Sequence, residues 1–442
     1  MNNILKLFFA LIIITSFSTL ESCSYVKKMD SGIRKAFGSV NRFQRQKKQY
    51  SRRLGMDQNK SNDQQDNGDN NQMVRNPIQQ KNMVNNYGYL FEGINGYDPG
   101  VIVNYNNRDS TSYIFEVENE KFKTILPDRE VFGWHPYWMG KSWMNYPFEL
   151  LSTISYFSYN VNPKTGLGLN PDQIEDWNTS AMIDSAKVKN TRVLLTVSLQ
   201  GNNNQDEFLT NELLWNNLFE DVSKLVLTRN GDGIDLNFED IPLSLRNEFV
   251  DFVKGFHQYL SSQFQNNNKT KPYISLTLPA HKDREHFDIK KLDPFIDLFI
   301  IMGYDYNGNS SPEAVSPLQS EGVFSLKNTI EYFKESNINV NKTILALPYY
   351  GILWNINPSE NDDFEAKIER KLTYTEIKNN FIENQELGSE VELDPISMSK
   401  IYRVAFEDNS IKEIHYDDAF TLSKKYDYAM NNNFQGVGIW AL

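Results

Sequence analysis

From about residue 130 onward the chain alternates between short β-type runs and longer helical patterns, and it does so eight times. The candidate strands are 131–135, 153–159, 192–198, 233–239, 273–279, 298–304, 343–349 and 436–442. Between them lie stretches with apolar residues at helical spacing, notably 211–229 and 244–264. In the second of these, Leu245, Phe249, Phe252, Val253, Phe256 and Leu260 fall on one stripe. Strands joined through helices pair in parallel, and a parallel sheet covered on both faces needs apolar runs such as Leu298, Phe299, Ile300, Ile301 and Met302. Eight strand–helix units predict an α/β fold, a (β/α)8 TIM barrel over 129–442. The interval before the last strand is longer than one helix requires. It holds a helical pattern at 374–381 and a strand pattern at 400–406, which predicts an α+β insertion at about 355–430 between strands seven and eight. Such an insertion would deepen one wall of a cleft.

The fourth strand carries polar side chains where apolar ones belong. A period of two puts Asp235, Asn237 and Glu239 on one face and Ile234, Leu236 and Phe238 on the other. Burying an unpaired carboxylate costs several kcal/mol, so clustered acids on a strand need a compensating reason. One reason is a general acid with its supporting shell; the other is a half-exposed strand with an ordinary polar face. Barrel enzymes place their chemistry at the C-terminal ends of the strands, and several strands here end in polar or aromatic residues. Strand one runs into His135, Tyr137 and Trp138, and strand four ends at Glu239. Strand six ends at Met302, Tyr304 and Asp305, strand seven at Tyr349 and Tyr350, and strand eight carries Trp440. Aromatic faces around an acidic centre suit a carbohydrate, although each ring alone could equally be core packing.

The remaining sequence speaks to address. A net charge of −12 argues against a nucleic-acid partner. Lys6 precedes an apolar run over 7–14, and a region of small residues leads to Cys23, so 1–22 reads as a signal peptide. The apolar run is too short to span a bilayer as a helix. Cys23 is the only cysteine, which precludes an intrachain disulfide. With Leu20 and Ser22 before it, Cys23 resembles a bacterial lipoprotein lipobox, although Glu21 stands where a small residue is usual. That resemblance implies a lipidated Cys23 as mature N-terminus and a membrane anchor in the cell envelope, periplasm-facing or at the cell surface; the alternative is an incidental thiol. Residues 23–85, basic over 27–53 and rich in Asn, Gln and Asp over 57–86, read as a disordered tether. Its basic part either touches anionic lipid or wall polymer or is a solvated linker. Residues 86–128 suggest a small β module, expected to cover the seam between strands one and eight.

Taken in order, these motifs resemble the family 18 glycoside hydrolases, the chitinase-like barrels. The strand-four pattern D-x-x-D-x-D-x-E is represented by Asp232, Asp235, Asn237 and Glu239. The strand-six pattern M-x-Y-D is represented by Met302, Tyr304 and Asp305, and the strand-eight tryptophan by Trp440. Further likenesses at 155–159, 162–166, 314–318, 347–351 and 416–418 point to the branch with spore-cortex and peptidoglycan N-acetylglucosaminidases.

The resemblance implies retaining hydrolysis of a polymer containing N-acetylglucosamine (GlcNAc), with no enzyme nucleophile. Glu239 would protonate the glycosidic oxygen while the substrate's 2-acetamido oxygen attacks the anomeric carbon, held by Tyr304. Burial and nearby Asp235 would raise the pKa of Glu239. Asp232, Tyr137, Met302, Asp305, Tyr349, Trp354 and Trp440 would bind the sugar. No metal or organic cofactor is needed. The departure is Asn237, where the pattern has Asp. An amide still accepts the acetamido N–H but lacks the charge that offsets a cationic intermediate, and its own N–H would lower the pKa of Glu239. Two alternatives to an active glycosidase follow: a sugar-binding protein on the same scaffold, or a structural envelope lipoprotein.

Overall fold

The computed structural model describes residues 129–442 apart from 309, 310, 321, 323, 359–363, 384–389 and 406–409. The signal peptide, Cys23, the tether, and the β module with its seam contact lie outside the described residues.

Eight parallel strands close into a barrel. They are β1 (Glu130–Pro136), β2 (Thr153–Asn160), β3 (Arg192–Leu199), β4 (Gly233–Phe238), β5 (Tyr273–Pro279), β6 (Leu298–Met302), β7 (Thr343–Pro348) and, after an insertion, β13 (Gly436–Trp440). All eight predicted strands are present. The fourth, sixth, seventh and eighth end one or two residues early, so Glu239, Tyr304 and Tyr349 open the loops at the C-terminal rim.

The period of two sorts the side chains. Facing out, Ile234, Leu236 and Phe238 of β4 join Val193, Leu195 and Val197 of β3 in the main core beneath the helices. Helix Arg246–Asn266 buries the predicted stripe, and its Phe252 ring lies 5.1 Å from that of Phe238. Each such ring contributes roughly 1.5–3 kcal/mol of burial. Facing in, Phe132, Trp134, Leu194, Leu298, Ile300, Ile344 and Ala346 fill the barrel. Its N-terminal end is closed by charge. Arg192 Nη1 reaches Glu130 at 3.2 Å and its guanidinium covers the Tyr273 ring at 3.7 Å. β13 crosses β1 so closely there that a Cβ on Gly436 would stand 1.9 Å from the Glu130 carbonyl.

The insertion is an antiparallel sheet of β8 (Tyr350–Pro358), β9 (Phe364–Thr373), β10 (Glu390–Asp394), β11 (Ser399–Ala405) and β12 (Ile411–Tyr416), ordered β10-β11-β12-β8-β9. It starts at Tyr350, directly after β7, and so earlier than predicted. It also ends earlier, because helix Ala419–Asn431 packs on β7 and β13 and belongs to the barrel. That helix escaped the sequence pattern for a physical reason: its buried face carries Lys424 and Lys425. Lys425 is fully buried, 2.5 Å from the Asp417 carboxylate and 2.9 Å from Ser399 Oγ.

Candidate active site

Asp235 and Asn237 on β4 and Glu239 just past its end climb toward the rim. Asp235 is fully buried, and register sets Thr196 of β3 and Ser275 of β5 on either side of it. Thr196 Oγ1 and Trp134 Nε1 donate to one carboxylate oxygen at 3.0 and 2.8 Å, and Ser275 Oγ donates to the other at 2.7 Å. Burial raises its pKa and these donors hold part of the rise back.

Two residues up, the orientation of Asn237 follows from its neighbour. Thr277 Oγ1 gives its one proton to the Leu236 carbonyl at 3.1 Å, so it must accept from Asn237 Nδ2 at 2.9 Å. Asn237 Oδ1 is then an acceptor, buried and without a partner among the described residues. A buried acceptor left empty costs about 1–3 kcal/mol, which a ligand N–H would recover.

Glu239 follows the end of β4. Its N–H donates to the Leu199 carbonyl at 3.1 Å, and buried Gln205 Nε2 donates to the carbonyls of both Leu199 and Glu239 at 2.7 and 2.8 Å. This clamp holds the ends of β3 and β4 together. Burial raises the pKa of Glu239 above that of an ordinary glutamate. The Asn237 amide opposes the rise, the Asp240 carboxylate adds to it, Gln200 Nε2 at 3.4 Å opposes it, and Asp305 adds to it. Asp235, expected to supply the like charge, does not. Four residues of strand, roughly 13 Å between Cα atoms, separate it from Glu239.

Opposite, Tyr304 stacks on Trp440 with centroids 6.5 Å apart and planes at 18°. Burial and the carboxylates of Glu239, Asp305 and Asp235 hold its phenol far above its ordinary pKa, which makes it a neutral O–H donor. Trp440 meets Phe157 at 4.8 Å, and Phe157 meets exposed Trp138 at 6.0 Å. Tyr137, exposed beside Trp138, lies at the exit of β1. Met302 Sδ is 3.9 Å from Asn237 Nδ2. Asp305 accepts from the Tyr350 hydroxyl at 2.5 Å and from Lys371 Nζ at 2.9 and 3.0 Å.

Three expected sugar ligands are elsewhere. Asp232 precedes β4 at the opposite end of the barrel, where its carboxylate accepts from Val193 N at 2.8 Å and pairs with Lys187 at 3.5 Å. Tyr349 turns to the helix layer and meets Tyr426; its neighbour Tyr350 faces Asp305. Trp354 has no exposed surface, being packed with Val315, Ile352 and Ile411 in the core of the insertion, and offers no face for stacking. The sequence assigned no site role to Phe157, Gln200, Tyr350 or Lys371. The alternation along β7 and β8 carried a signal for Tyr350; Lys371, 66 residues from Asp305, left none.

The family profile of glycosyl hydrolases family 18 matches residues 131–442. The chain belongs to this family. Among curated relatives, it is similar to the protein named Probable chitinase 2 of Drosophila melanogaster, 25% identical over 55% of this chain and 53% of that protein. It is also similar to the protein named Putative sporulation-specific glycosylase YdhD of Bacillus subtilis, 22% identical over 66% of each chain. The chain thus spans about half the length of the first relative and about two thirds of the second. A class V chitinase from Nicotiana tobaccum has the same fold, with a TM-score of 0.62 at 14% identity over 71% of this chain and 94% of that one. In family 18 terms, Asp235, Asn237 and Glu239 occupy one face of strand four, with Tyr304 and Trp440 across the mouth.

Proposed function

We propose that this protein is a glycosidase that hydrolyses β-1,4-linked GlcNAc polymers with retention, using the substrate's own 2-acetamido group as nucleophile. One observation carries the reading: the Glu239 carboxyl, its pKa raised by burial, shares the mouth with a buried acceptor, Asn237 Oδ1, that has no partner among the described residues, and with a neutral phenol, Tyr304. Asp235 is unsuited to covalent attack, since both its oxygens are occupied by donors and it is fully buried.

Glu239, protonated, gives its proton to the glycosidic oxygen as that bond breaks. The acetamido oxygen closes on the anomeric carbon, held by the Tyr304 hydroxyl, while the acetamido N–H donates to Asn237 Oδ1. Water then opens the oxazolinium-like ring with Glu239 as base. Trp440 supplies the apolar floor, and the line through Phe157 to Trp138 offers further stacking surface. Of the polymers with the required group, peptidoglycan glycan fits an exported protein best, and the likeness to a sporulation glycosylase supports the same choice. Mass spectrometry of products from purified peptidoglycan, chitin and chito-oligosaccharides tests the reading. GlcNAc-terminated fragments are expected; binding without turnover on all three would favour a sugar-binding protein instead.

We also propose export and anchoring through lipidated Cys23, supported by the leader-like residues before it. A mass spectrum of the mature protein should show an acylated N-terminal Cys23, and an unmodified thiol there would refute the anchor.

A further inference from the structure

Where the insertion meets the barrel mouth, Asp305 stands on left-handed backbone, with φ at 56°. Its Oδ1 accepts from the Tyr350 hydroxyl at 2.5 Å and from Lys371 Nζ at 2.9 Å; Lys371 also reaches Oδ2 at 3.0 Å. The same ammonium lies 4.7 Å from the centre of the Tyr350 ring. Tyr350 belongs to β8 and Lys371 to β9, so both ligands of this barrel carboxylate come from the insertion. Their register holds them together, because Gly351 pairs with Leu372 and Tyr350 with Thr373.

We propose that Lys371 is a positioning residue for the reaction: its ammonium, held on Asp305 by the insertion, offsets the negative charge that Asp305 presents to Glu239. The proposal rests on the glycosidase reading above. It gives the insertion a role beyond forming a wall, since the insertion would set how readily the acid keeps its proton.

The surroundings of Glu239 can be enumerated. Asn237 and Asp240 face it from its own strand and loop, Gln200 from the loop after β3, and Tyr304 and Asp305 from the end of β6. From the end of β5, His281 Nε2 contacts the Asp305 carbonyl at 3.3 Å, with Lys282 and Arg284 close to its ring. Among the described residues, Lys371 is the cation in direct contact with the Asp305 carboxylate. Removing it exposes Glu239 to a fuller negative charge and favours the protonated acid. The side chains of Lys371 and Asp305 are 55% and 49% exposed, so water and salt weaken the effect. We expect a rise of about half a pH unit at low ionic strength, shrinking as salt is added.

The experiment uses the full chain and its variants Lys371→Met, Lys371→Arg, Asp305→Asn and the double variant Asp305→Asn/Lys371→Met. Two readouts are taken. One is the titration of the Glu239 carboxyl by 13C NMR, assigned by its loss in Glu239→Gln; the other is the alkaline limb of kcat/KM. K371M should raise both midpoints, K371R should restore them, and D305N should lower them. In the D305N background K371M should add little. An unmoved Glu239 titration in K371M, or a shift of the same size in the D305N background, overturns the proposal. Shifted titrations without turnover of any GlcNAc polymer overturn the glycosidase reading and leave the electrostatic coupling standing.

Discussion

Replacing Asn237 with Asp should make the reaction faster. Asn237 Oδ1 is buried and has no partner among the described residues, and its Nδ2 gives one proton to Thr277. A carboxylate there would still accept the acetamido N–H and would add a full charge beside the oxazolinium-like intermediate. At 4 Å and an effective dielectric of about 20, two unit charges attract by about 4 kcal/mol. Sharing of protons with Asp235 and the loss of the Thr277 contact reduce this, which leaves roughly 2–3 kcal/mol of stabilisation and a gain in kcat of about thirtyfold to about 150-fold. The new charge also removes the amide that lowers the pKa of Glu239, so the alkaline limb should move up. The folded state should lose about 1–3 kcal/mol from the added buried charge. Steady-state kinetics on chito-oligosaccharides across pH, with urea melts in parallel, would measure all three. An unchanged kcat in a folded N237D protein would refute the electrostatic reasoning.

Other consequences can be checked together. On the proposed mechanism Glu239 acts as a protonated acid, and since its pKa is raised, kcat/KM should hold above the ordinary glutamate range and fall as pH rises through the Glu239 value. A profile that falls already at pH 4 to 5 would contradict this. Tyr304→Phe should cost roughly a hundredfold to a thousandfold in kcat with little change in KM, since on the proposed mechanism the phenol acts mainly as the ring closes. Glu413 is buried between Arg403 Nε and His415 Nε2, each at 2.7 Å, and these partners overcome the cost of burial and hold its pKa below the ordinary value. Glu413→Gln should therefore destabilise the protein by roughly 3–5 kcal/mol at neutral pH. The sign follows from the depressed pKa: the native pair's contribution is present above the unfolded value near 4.5 and fades as pH falls below it. Urea melts of both proteins should accordingly converge in acid.

Much of this architecture could be read from the chain because barrel strands are buried on both faces and their composition says so. Leu298 to Ile301 has no other plausible home. Helix Ala419–Asn431 was hidden because its buried face holds two lysines, Lys424 and Lys425, the second paired with Asp417 just before the helix and with Ser399. Within the site, the period of two put Asp235, Asn237 and Glu239 on one face, and Asp235 and Asn237 do lie on β4 with Glu239 one residue past its end. The same argument fails across strand ends. Asp232 belongs to the strand-four motif by pattern, yet it lies at the far end of the barrel, tied to Lys187 and the Val193 N–H. Tyr349 and Tyr350 differ by one residue and therefore by a whole face. Lys371 reaches Asp305 only because the insertion folds back, a contact that no local pattern encodes.

Glu239 is proposed as the acid of a substrate-assisted glycosidase. Glu239→Gln keeps the shape of the side chain and removes the transferable proton. Turnover of chito-oligosaccharide and peptidoglycan should fall by at least a thousandfold while oligosaccharide binding, measured by calorimetry, stays within a few fold. Retained turnover in a folded E239Q protein would contradict the account.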